Sequence, residues 1–241
     1  LPLGVRTSQL YLDPVTAKKF KDAFEKLEKN PNPLGVFQLL ASTPDMSSLR
    51  VRRKEQEDLL DYAYEMEEYL YQNIPYWEDY KFEKFLGEMK TAKLLLDWIN
   101  EVNDVKILET YEIDTGDLYR ILELVDWLMY SLIELYKLFD PKPEVLDFLK
   151  KLHIRVKHGV REELLELITL PMIGRKRARA LYNAGFKGIN DIVRAKASEL
   201  LKVEGIGVGV LEKIYQHFGV GLPTNDKKKK VKKGTLDEFF K

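Results

Sequence analysis

Residues 170–219 have the sequence LPMIGRKRARALYNAGFKGINDIVRAKASELLKVEGIGVGVLEKIYQHFG. Two pentapeptides within this stretch, 170–174 and 203–207, share the pattern apolar-x-x-Ile-Gly, and each precedes a segment with helical apolar periodicity. A repeated unit indicates a repeated structure, in this case two tandem helical hairpins. Glycine at Gly174, Gly205 and Gly207 permits a tight turn and leaves the peptide N–H groups of the following helix accessible, because glycine has no Cβ.

The helix predicted after the first turn is basic in its first half. It carries Arg175, Lys176, Arg177 and Arg179, and the partial positive charge of a helix N-terminus attracts phosphate. Fixed N–H dipoles beside mobile cations bind a nucleic-acid backbone without reading its bases. The turns and the basic helix together predict a helix-hairpin-helix DNA-binding module. The alternative interpretation is an ordinary helix connection whose arginines are only solvated.

Composition indicates a globular protein whose positive charge is concentrated towards the C-terminus. Hydrophobic residues make up 45% of the 241 residues, and the formal net charge is zero. Residues 1–169 hold 23 Lys and Arg against 32 Asp and Glu, a net charge of −9. Residues 170–224 hold 9 against 4, a net charge of +5, and residues 225–241 hold 7 against 3, a net charge of +4. A nucleic-acid partner is therefore expected at the C-terminal end.

Residue types exclude several functional classes. The chain has no cysteine, which excludes disulfides, thiol nucleophiles and zinc sites of the cysteine type, and which favours a cytoplasmic location. His153 and His158 are five residues apart, whereas paired metal ligands on one helix face are four apart. No apolar run has the length of a membrane span, and no signal peptide is visible. Neither a metal site nor a membrane partner is predicted.

Most of the chain has the periodicity of α-helices. Residues 5–12 alternate enough to predict one short strand, which ends at Asp13-Pro14, a helix N-cap followed by proline. Short turns separate the helical segments, which predicts an all-α fold: a bundle of about seven helices followed by the helix-hairpin-helix domain. The chain begins with Leu1 rather than Met, which suggests processing or a piece of a longer protein. The segments predicted as helical are 14–29, a short one after Pro33, 51–73, 78–101, 103–110, 115–138, 142–158 and 161–169.

One predicted helix, residues 115–138, carries a tryptophan on its polar face. Trp127 and Ser131 lie opposite the apolar stripe, and Arg120 lies two turns before Trp127 on nearly the same azimuth. One interpretation is a DNA base stacked on Trp127, since stacking contributes about 1–3 kcal/mol per base, with Arg120 on a phosphate. The alternative is that Trp127 packs against a neighbouring helix. Other aromatic residues at helical spacing are predicted to pack within the bundle: Tyr62, Tyr64, Tyr69, Tyr71, Trp77, Phe85 and Trp98.

The C-terminal segment has a different composition. Residues 225–241 begin with a lysine run of low complexity and are predicted to form a disordered basic tail. Leu236, Phe239 and Phe240 have the spacing of one helical turn, and such an apolar group on a solvated segment is typical of a peptide that binds a groove on a partner. The alternative is a solubilising tail whose phenylalanines dock on their own chain.

These stretches together resemble the C-terminal portion of the archaeal superfamily-two DNA repair helicases of the Holliday-junction-migration type. The resemblance extends over essentially the whole chain. It implies that residues 1–12 are the end of a winged-helix domain and residues 13–169 a helical ratchet domain. Residues 170–222 are then a terminal helix-hairpin-helix domain, and residues 223–241 a flexible lysine-rich tail.

The resemblance also implies roles for particular residues. The ratchet-helix residues that match Arg120 and Trp127 engage single-stranded DNA in that family, so the resemblance favours the DNA-binding interpretation of this pair. Residues 175–179 match the family's basic Arg-x-Arg-Ala-Arg element, which implies DNA contact coupled to ATP turnover. The tail resembles a sliding-clamp (PCNA) interaction peptide, with Lys233 where that peptide has glutamine.

The implied activity is ATP-dependent 3′–5′ unwinding of forked or branched DNA in repair, recombination and replication restart, by a protein associated with the nucleoid. No Gly-x-x-x-x-Gly-Lys-Ser/Thr loop occurs in the chain. ATP and Mg²⁺ are therefore expected to be bound by motor domains outside this chain, which act as its partners. No catalytic residue is predicted within it.

Two other functions remain as alternatives. Helix-hairpin-helix modules also accompany DNA glycosylases and structure-specific nucleases, whose chemistry needs carboxylates near the hairpin. Asp191 is the one nearby acid with suitable placement, and capping of the following helix is the competing prediction for it. The second alternative is a non-catalytic DNA-binding scaffold that is tethered to the sliding clamp.

Overall fold

The computed structural model describes residues 2–78 and 80–219, and these residues form α-helices, short 3₁₀ turns and connecting loops without a β-strand. The all-α prediction is therefore confirmed. The chain divides into two compact units between Gly159 and Val160. No helix in these described ranges combines the length and the apolarity that crossing a membrane requires.

The first unit is a bundle in which two long helices, α5 and α7, contact most of the others. Helix α5 packs against α3, α4, α6 and α8, and α7 packs against α1, α2, α3 and α8. Helix α3 is buried on every side, as expected for a helix that is hydrophobic all round. The helices of this unit are α1 Pro2–Gln9, α2 Pro14–Lys29, α3 Pro33–Ala41, α4 Gln56–Glu65, α5 Phe82–Ile99, α6 Asp104–Tyr111, α7 Thr115–Tyr136 and α8 Pro143–His158.

Side-chain caps fix where several of these helices begin. The Asp13 carboxylate accepts the Val15 N–H at 2.7 Å at the start of α2, in front of the predicted proline. The Asp114 carboxylate accepts the Asp117 N–H at 2.8 Å at the start of α7. Each such cap contributes about 1 kcal/mol to helix stability, because it satisfies an N–H that has no partner within the helix. Asn32 and Asn103 cap α3 and α6 in the same way.

The strand predicted at residues 5–12 is wrong, because residues 2–9 form helix α1. The Thr7 hydroxyl donates to the Leu3 carbonyl at 2.8 Å, and Arg6 pairs with Glu134 of α7. Leu10 and Leu12 are buried in the core of the bundle. Tertiary contacts with α2 and α7 therefore outweigh the weak alternation of this short segment. The assignment of residues 1–12 to a winged-helix domain stays a prediction.

The helix predicted at residues 51–73 is shorter than its periodicity suggested. Helix α4 ends at Glu65, and a 3₁₀ turn, Glu67–Tyr69, follows it. The Tyr71 hydroxyl accepts the Asn32 N–H at 3.2 Å, and its ring occupies the space where a Cβ on Gly35 would lie. Tyr71 reaches these positions at the start of α3 only because α4 ends before it and the chain changes direction.

Three of the aromatic residues predicted to pack within the bundle are exposed instead. Trp77, Tyr64 and Tyr69 lie on the surface, whereas Tyr71 and Phe85 are buried as predicted. Trp77 precedes α5 in a loop, so the helical spacing used for the prediction does not apply to it. Conversely, Ser131 was predicted on the polar face of α7 and is fully buried, because a second side of this central helix is also covered.

The second unit has its own core and contains the two hairpins. Its helices are α9 Arg175–Asn183, α10 Ile189–Arg194, α11 Ala197–Leu200 and α12 Val208–His217. The helix predicted at residues 161–169 is wrong, because this segment forms two 3₁₀ turns, Glu162–Leu164 and Leu167–Thr169. The buried apolar residues of this segment, together with the preceding Val160, belong to the core of the second unit: Val160, Leu164, Leu167 and Ile168. The two units divide between residues 159 and 160, ahead of the predicted boundary at residue 169.

Candidate nucleic-acid interface

The two pentapeptides of the sequence repeat form the same turn. The Ile173 N–H donates to the Leu170 carbonyl at 3.2 Å, and the Ile206 N–H donates to the Val203 carbonyl at 3.1 Å. The third residue of each turn has a positive φ, 63° at Met172 and 78° at Gly205. This geometry suits glycine, so Gly205 adopts it without the strain that a side chain adds at Met172. The repeat in sequence is therefore also a repeat in structure.

Gly174 and Gly207 end the two turns and are the N-cap residues of α9 and α12. Their φ angles of −96° and −100° are accessible to any residue, so backbone conformation does not explain these glycines. A Cβ built on either one meets no atom within 4 Å, and both residues are exposed. The first N–H groups of each helix thus lie under an open surface that a side chain at these positions would partly cover. Such a surface accepts phosphate oxygens.

Arg177 joins the two turns. Its Nε donates to the Gly205 carbonyl at 2.8 Å, and its Nη1 donates to the Met172 carbonyl at 2.7 Å. These carbonyls belong to the positive-φ residues of the two repeats, so one guanidinium holds both turns. The sequence predicted Arg177 as a phosphate ligand, whereas its described contacts are with the backbone of the module itself.

The other basic residues of α9 have different environments. Lys176 is exposed, and Arg175 and Arg179 are half-buried. Arg179 pairs with Glu163 at 2.8 Å and lies over the Tyr182 ring at 5.2 Å from its centre. Burial raises the pKa of Glu163, but the hydrogen bond and charge of Arg179, a backbone hydrogen bond and the charge of Arg161 together hold this pKa below its ordinary value. The basic run therefore divides into residues that stabilise the unit and at least one cation that faces solvent.

Asp191 caps the helix in which it lies, as the third residue of α10. Its carboxylate accepts the Lys187 N–H at 2.8 Å and the Gly188 N–H at 3.2 Å, at the start of α10. The capping prediction for Asp191 is confirmed. A carboxylate occupied by two backbone donors is a poor candidate for the acid of a glycosylase or the metal ligand of a nuclease.

Arg120 and Trp127 lie along one side of α7, as predicted. Arg120 is exposed, and its Nη2 is 3.0 Å from an oxygen of Asp117. Trp127 is half-buried against the bundle core, and its Nε1 donates to the Leu10 carbonyl at 3.2 Å. The structure thus shows the packing that was the alternative interpretation of Trp127. A contact of either residue with single-stranded DNA stays a prediction.

Two further aromatic residues of α7, both tyrosines, are exposed and were missed in the sequence. Tyr119 is 65% exposed and Tyr130 is 47% exposed. Tyr119 precedes Arg120, and Tyr130 lies one turn beyond Trp127. Exposed aromatic rings on a helix face are the groups on which bases of a single strand stack. An inventory of aromatic residues outside the apolar stripe would have found both of them.

Leu236, Phe239, Phe240 and Lys233 fall outside the residues that the structure describes, as do all residues from 220 onwards. The flexible tail and its binding to a sliding clamp therefore stay predictions.

Two protein families match this chain, one in each of its two units. The family described as "Archaeal helicase, domain 4" matches residues 34–159, and the family described as "SAM-like Helix-hairpin-helix tandem" matches residues 164–219. Three similar proteins carry the name ATP-dependent DNA helicase Hel308. The protein from Thermococcus kodakarensis is 66% identical over 242 residues, the one from Pyrococcus abyssi 47% over 240 residues, and the one from Methanocaldococcus jannaschii 36% over 218 residues.

These matches include all of this chain for the first two relatives and 90% of it for the third. The chain spans only 22%, 33% and 17% of the length of the three relatives, in the same order. The predicted resemblance to archaeal helicases is therefore confirmed, for a part of such proteins.

Proposed function

The chain belongs to the archaeal helicase domain 4 family, and from this premise we propose that it is a DNA-binding part of an ATP-dependent DNA helicase. The observation that carries the proposal is the pair of repeated turns in the second unit. Each turn presents the open N-terminus of a helix, at Gly174 and at Gly207, and Arg177 holds the two turns together. Two such sites bind two phosphates without sequence preference.

We also propose how this part contributes to unwinding. The exposed side of α7, with Arg120 and the ring edges of Trp127, contacts a single strand, and the second unit contacts the DNA backbone. ATP and Mg²⁺ are bound by motor domains outside this chain. The substrate that fits two such surfaces is a fork, which offers single and double strands together. Unwinding of forks with 3′–5′ polarity would serve repair, recombination and replication restart at the nucleoid.

The test is binding of labelled single-stranded, duplex and forked DNA by fluorescence anisotropy over a salt series. Gly174→Ala combined with Gly207→Ala adds two methyl groups over the helix N-termini, where the fold has room for them. We expect DNA affinity to fall about tenfold, or about 1.4 kcal/mol, because phosphates lose close approach to two helix termini. The unfolding temperature should stay unchanged.

Gly4→Ala is the matched control, since its Cβ also meets no atom within 4 Å but lies in the first unit. Trp127→Ala and Arg120→Ala should weaken binding to single strands more than binding to duplex. If the unaltered chain binds no DNA at low salt, the proposed function is wrong. If the double glycine variant binds as tightly as the unaltered chain, the turns are not the interface.

A further inference from the structure

A short basic run lies in the otherwise acidic first unit. Residues 50–54 have the sequence Arg-Val-Arg-Arg-Lys, four cations in five residues, within a segment whose net charge is −9. The run precedes α4 and is distant in sequence from both surfaces described above. The four cations create a positive potential at the surface, and they repel one another. An anionic partner is attracted by this potential and relieves the repulsion.

The backbone of this run is fixed against α5. The Leu49 N–H donates to the Thr91 hydroxyl at 2.8 Å, and the buried Lys90 donates to the Arg50 carbonyl at 3.2 Å. A Cβ on Gly87 would lie 2.7 Å from the Leu49 carbonyl oxygen, so the close approach of the loop depends on this glycine. The loop is therefore held in place through its backbone, whereas the side chains of the arginines remain exposed.

The run borders a cavity of about 1210 Å³ that also reaches α7. Its walls are the loop at residues 47–53, the first half of α5, residues 111–113 before α7, and the first half of α7. Arg120 is one of the lining residues, so the basic run and the predicted DNA ligand of α7 share one cavity. The cations around it are Arg50, Arg52, Arg53, Lys84, Lys90 and Arg120.

Carboxylates neutralise some of these cations but not all. Arg52 pairs with Glu112, and Lys90 lies 2.9 Å from Glu55. Among the residues that the structure describes, no carboxylate forms an ion pair with Arg50 or Arg53. The acidic lining residues are fewer than the cations: Glu83, Glu112 and Asp117. Positive charge therefore remains at the cavity after the internal ion pairs are formed.

We propose that this cavity is a phosphate-binding subsite for a DNA strand, in which Arg50 and Arg53 act together with Arg120. The inference rests on the proposed function and deepens it, because it extends the contact of α7 onto a second element. A guanidinium binds phosphate through two parallel N–H donors, and the cavity is large enough for a nucleotide. Arg120 is exposed, so its pairing with Asp117 at 3.0 Å exchanges readily for a phosphate.

The test is anisotropy of a labelled single strand with the full chain carrying Arg50→Ala and Arg53→Ala. We expect affinity at low salt to fall about tenfold, because two charge-assisted contacts are lost. The slope of log K against log salt should become shallower by about 1.4, or about 0.7 for each phosphate contact. The control, Lys18→Ala with Lys29→Ala, removes two exposed cations of α2 that pair only within that helix.

The control should change affinity less than twofold and leave the slope as it is. If both double variants bind alike while Arg120→Ala weakens binding, the subsite is wrong and the proposed function stands. If the unaltered chain binds no single strand, the proposed function itself fails. Circular dichroism and the unfolding temperature of each variant establish that the fold is intact, as expected for exposed side chains on a backbone fixed by Lys90 and Thr91.

Discussion

Arg177 lies within a basic run that predicts phosphate contact, yet its guanidinium is bonded to two backbone carbonyls, of Met172 at 2.7 Å and of Gly205 at 2.8 Å. The spacing of cations along a helix does not show this, because the acceptors are 5 residues before it and 28 residues after it in sequence. A residue that fixes both turns affects DNA binding through geometry even when it contributes no contact with phosphate.

Arg177→Lys retains the positive charge but loses the planar fork that bonds both carbonyls. We expect faster hydrogen exchange in the peptides that contain residues 170–174 and 203–207, a loss of about 1–2 kcal/mol in local stability, and weaker DNA binding. Hydrogen exchange followed by mass spectrometry measures the first effect. Lys176→Arg, at an exposed position of the same helix, is the control and should change none of these three quantities. Unchanged exchange in Arg177→Lys would show that the two bonds do not hold the turns.

At the scale of the elements, the C-terminal end of α8 is set by a contact that only the folded chain provides. Helix α8 ends at His158, and Gly159 follows it as the C-cap residue with a φ of 63°. The Trp98 ring lies against this glycine, and its Nε1 donates to the Val156 carbonyl at 2.7 Å in the last turn of α8. A side chain at position 159 has no space, because its Cβ would lie 2.6 Å from the ring.

Gly159→Ala therefore combines an unfavourable φ with a steric clash. We expect the first unit to lose about 2–5 kcal/mol of stability, because the left-handed conformation costs about 1–2 kcal/mol and overpacking about 1–3 kcal/mol. Urea unfolding followed by tryptophan fluorescence measures the loss. Gly4→Ala, with open space around its Cβ in α1, should leave the midpoint unchanged or raise it, because alanine favours a helix more than glycine does. An equal midpoint for both variants would mean that the contact with Trp98 relaxes without cost.

Across the whole molecule, charge is separated along the chain: residues 1–169 have a net charge of −9, and residues 170–241 have a net charge of +9, from 16 Lys and Arg against 7 Asp and Glu. Residues 225–241 contribute +4 of this net charge of +9. A polyanion is attracted to the basic end and repelled by most of the rest. The basic loop at residues 50–54 is an exception within the acidic first unit, and it offers a polyanion a local site of attraction there.

A chain that ends at residue 224 should separate the contribution of the tail from that of the hairpins. We expect weaker binding to duplex DNA and a shallower salt slope, because cations near the DNA are removed. The effect of Gly174→Ala with Gly207→Ala on affinity should persist in the shortened chain. Anisotropy titrations at several salt concentrations provide the measurement. Complete loss of binding on removal of residues 225–241 would assign the interaction to the lysine run and not to the turns.

The sequence by itself determined the all-α class, the paired turns and most helix starts, because these depend on local chemistry. Apolar periodicity defines helices, Asp13 and Asp114 cap the helices that follow them, and the Ile-Gly repeat specifies two similar turns. Asp191 belongs to this group, because the two N–H groups that donate to its carboxylate lie within four residues of it.

Tertiary structure alone decided the features that depend on residues distant in sequence. Residues 2–9 are helical because they pack on α2 and α7, and α4 ends early because Tyr71 docks at Gly35. Arg177 bonds to two turns, and the loop of Arg50 reaches the cavity of Arg120, only after the chain has folded. Such contacts leave no periodic signal, because their free energy depends on the proximity of atoms and not on the spacing of residues along the chain.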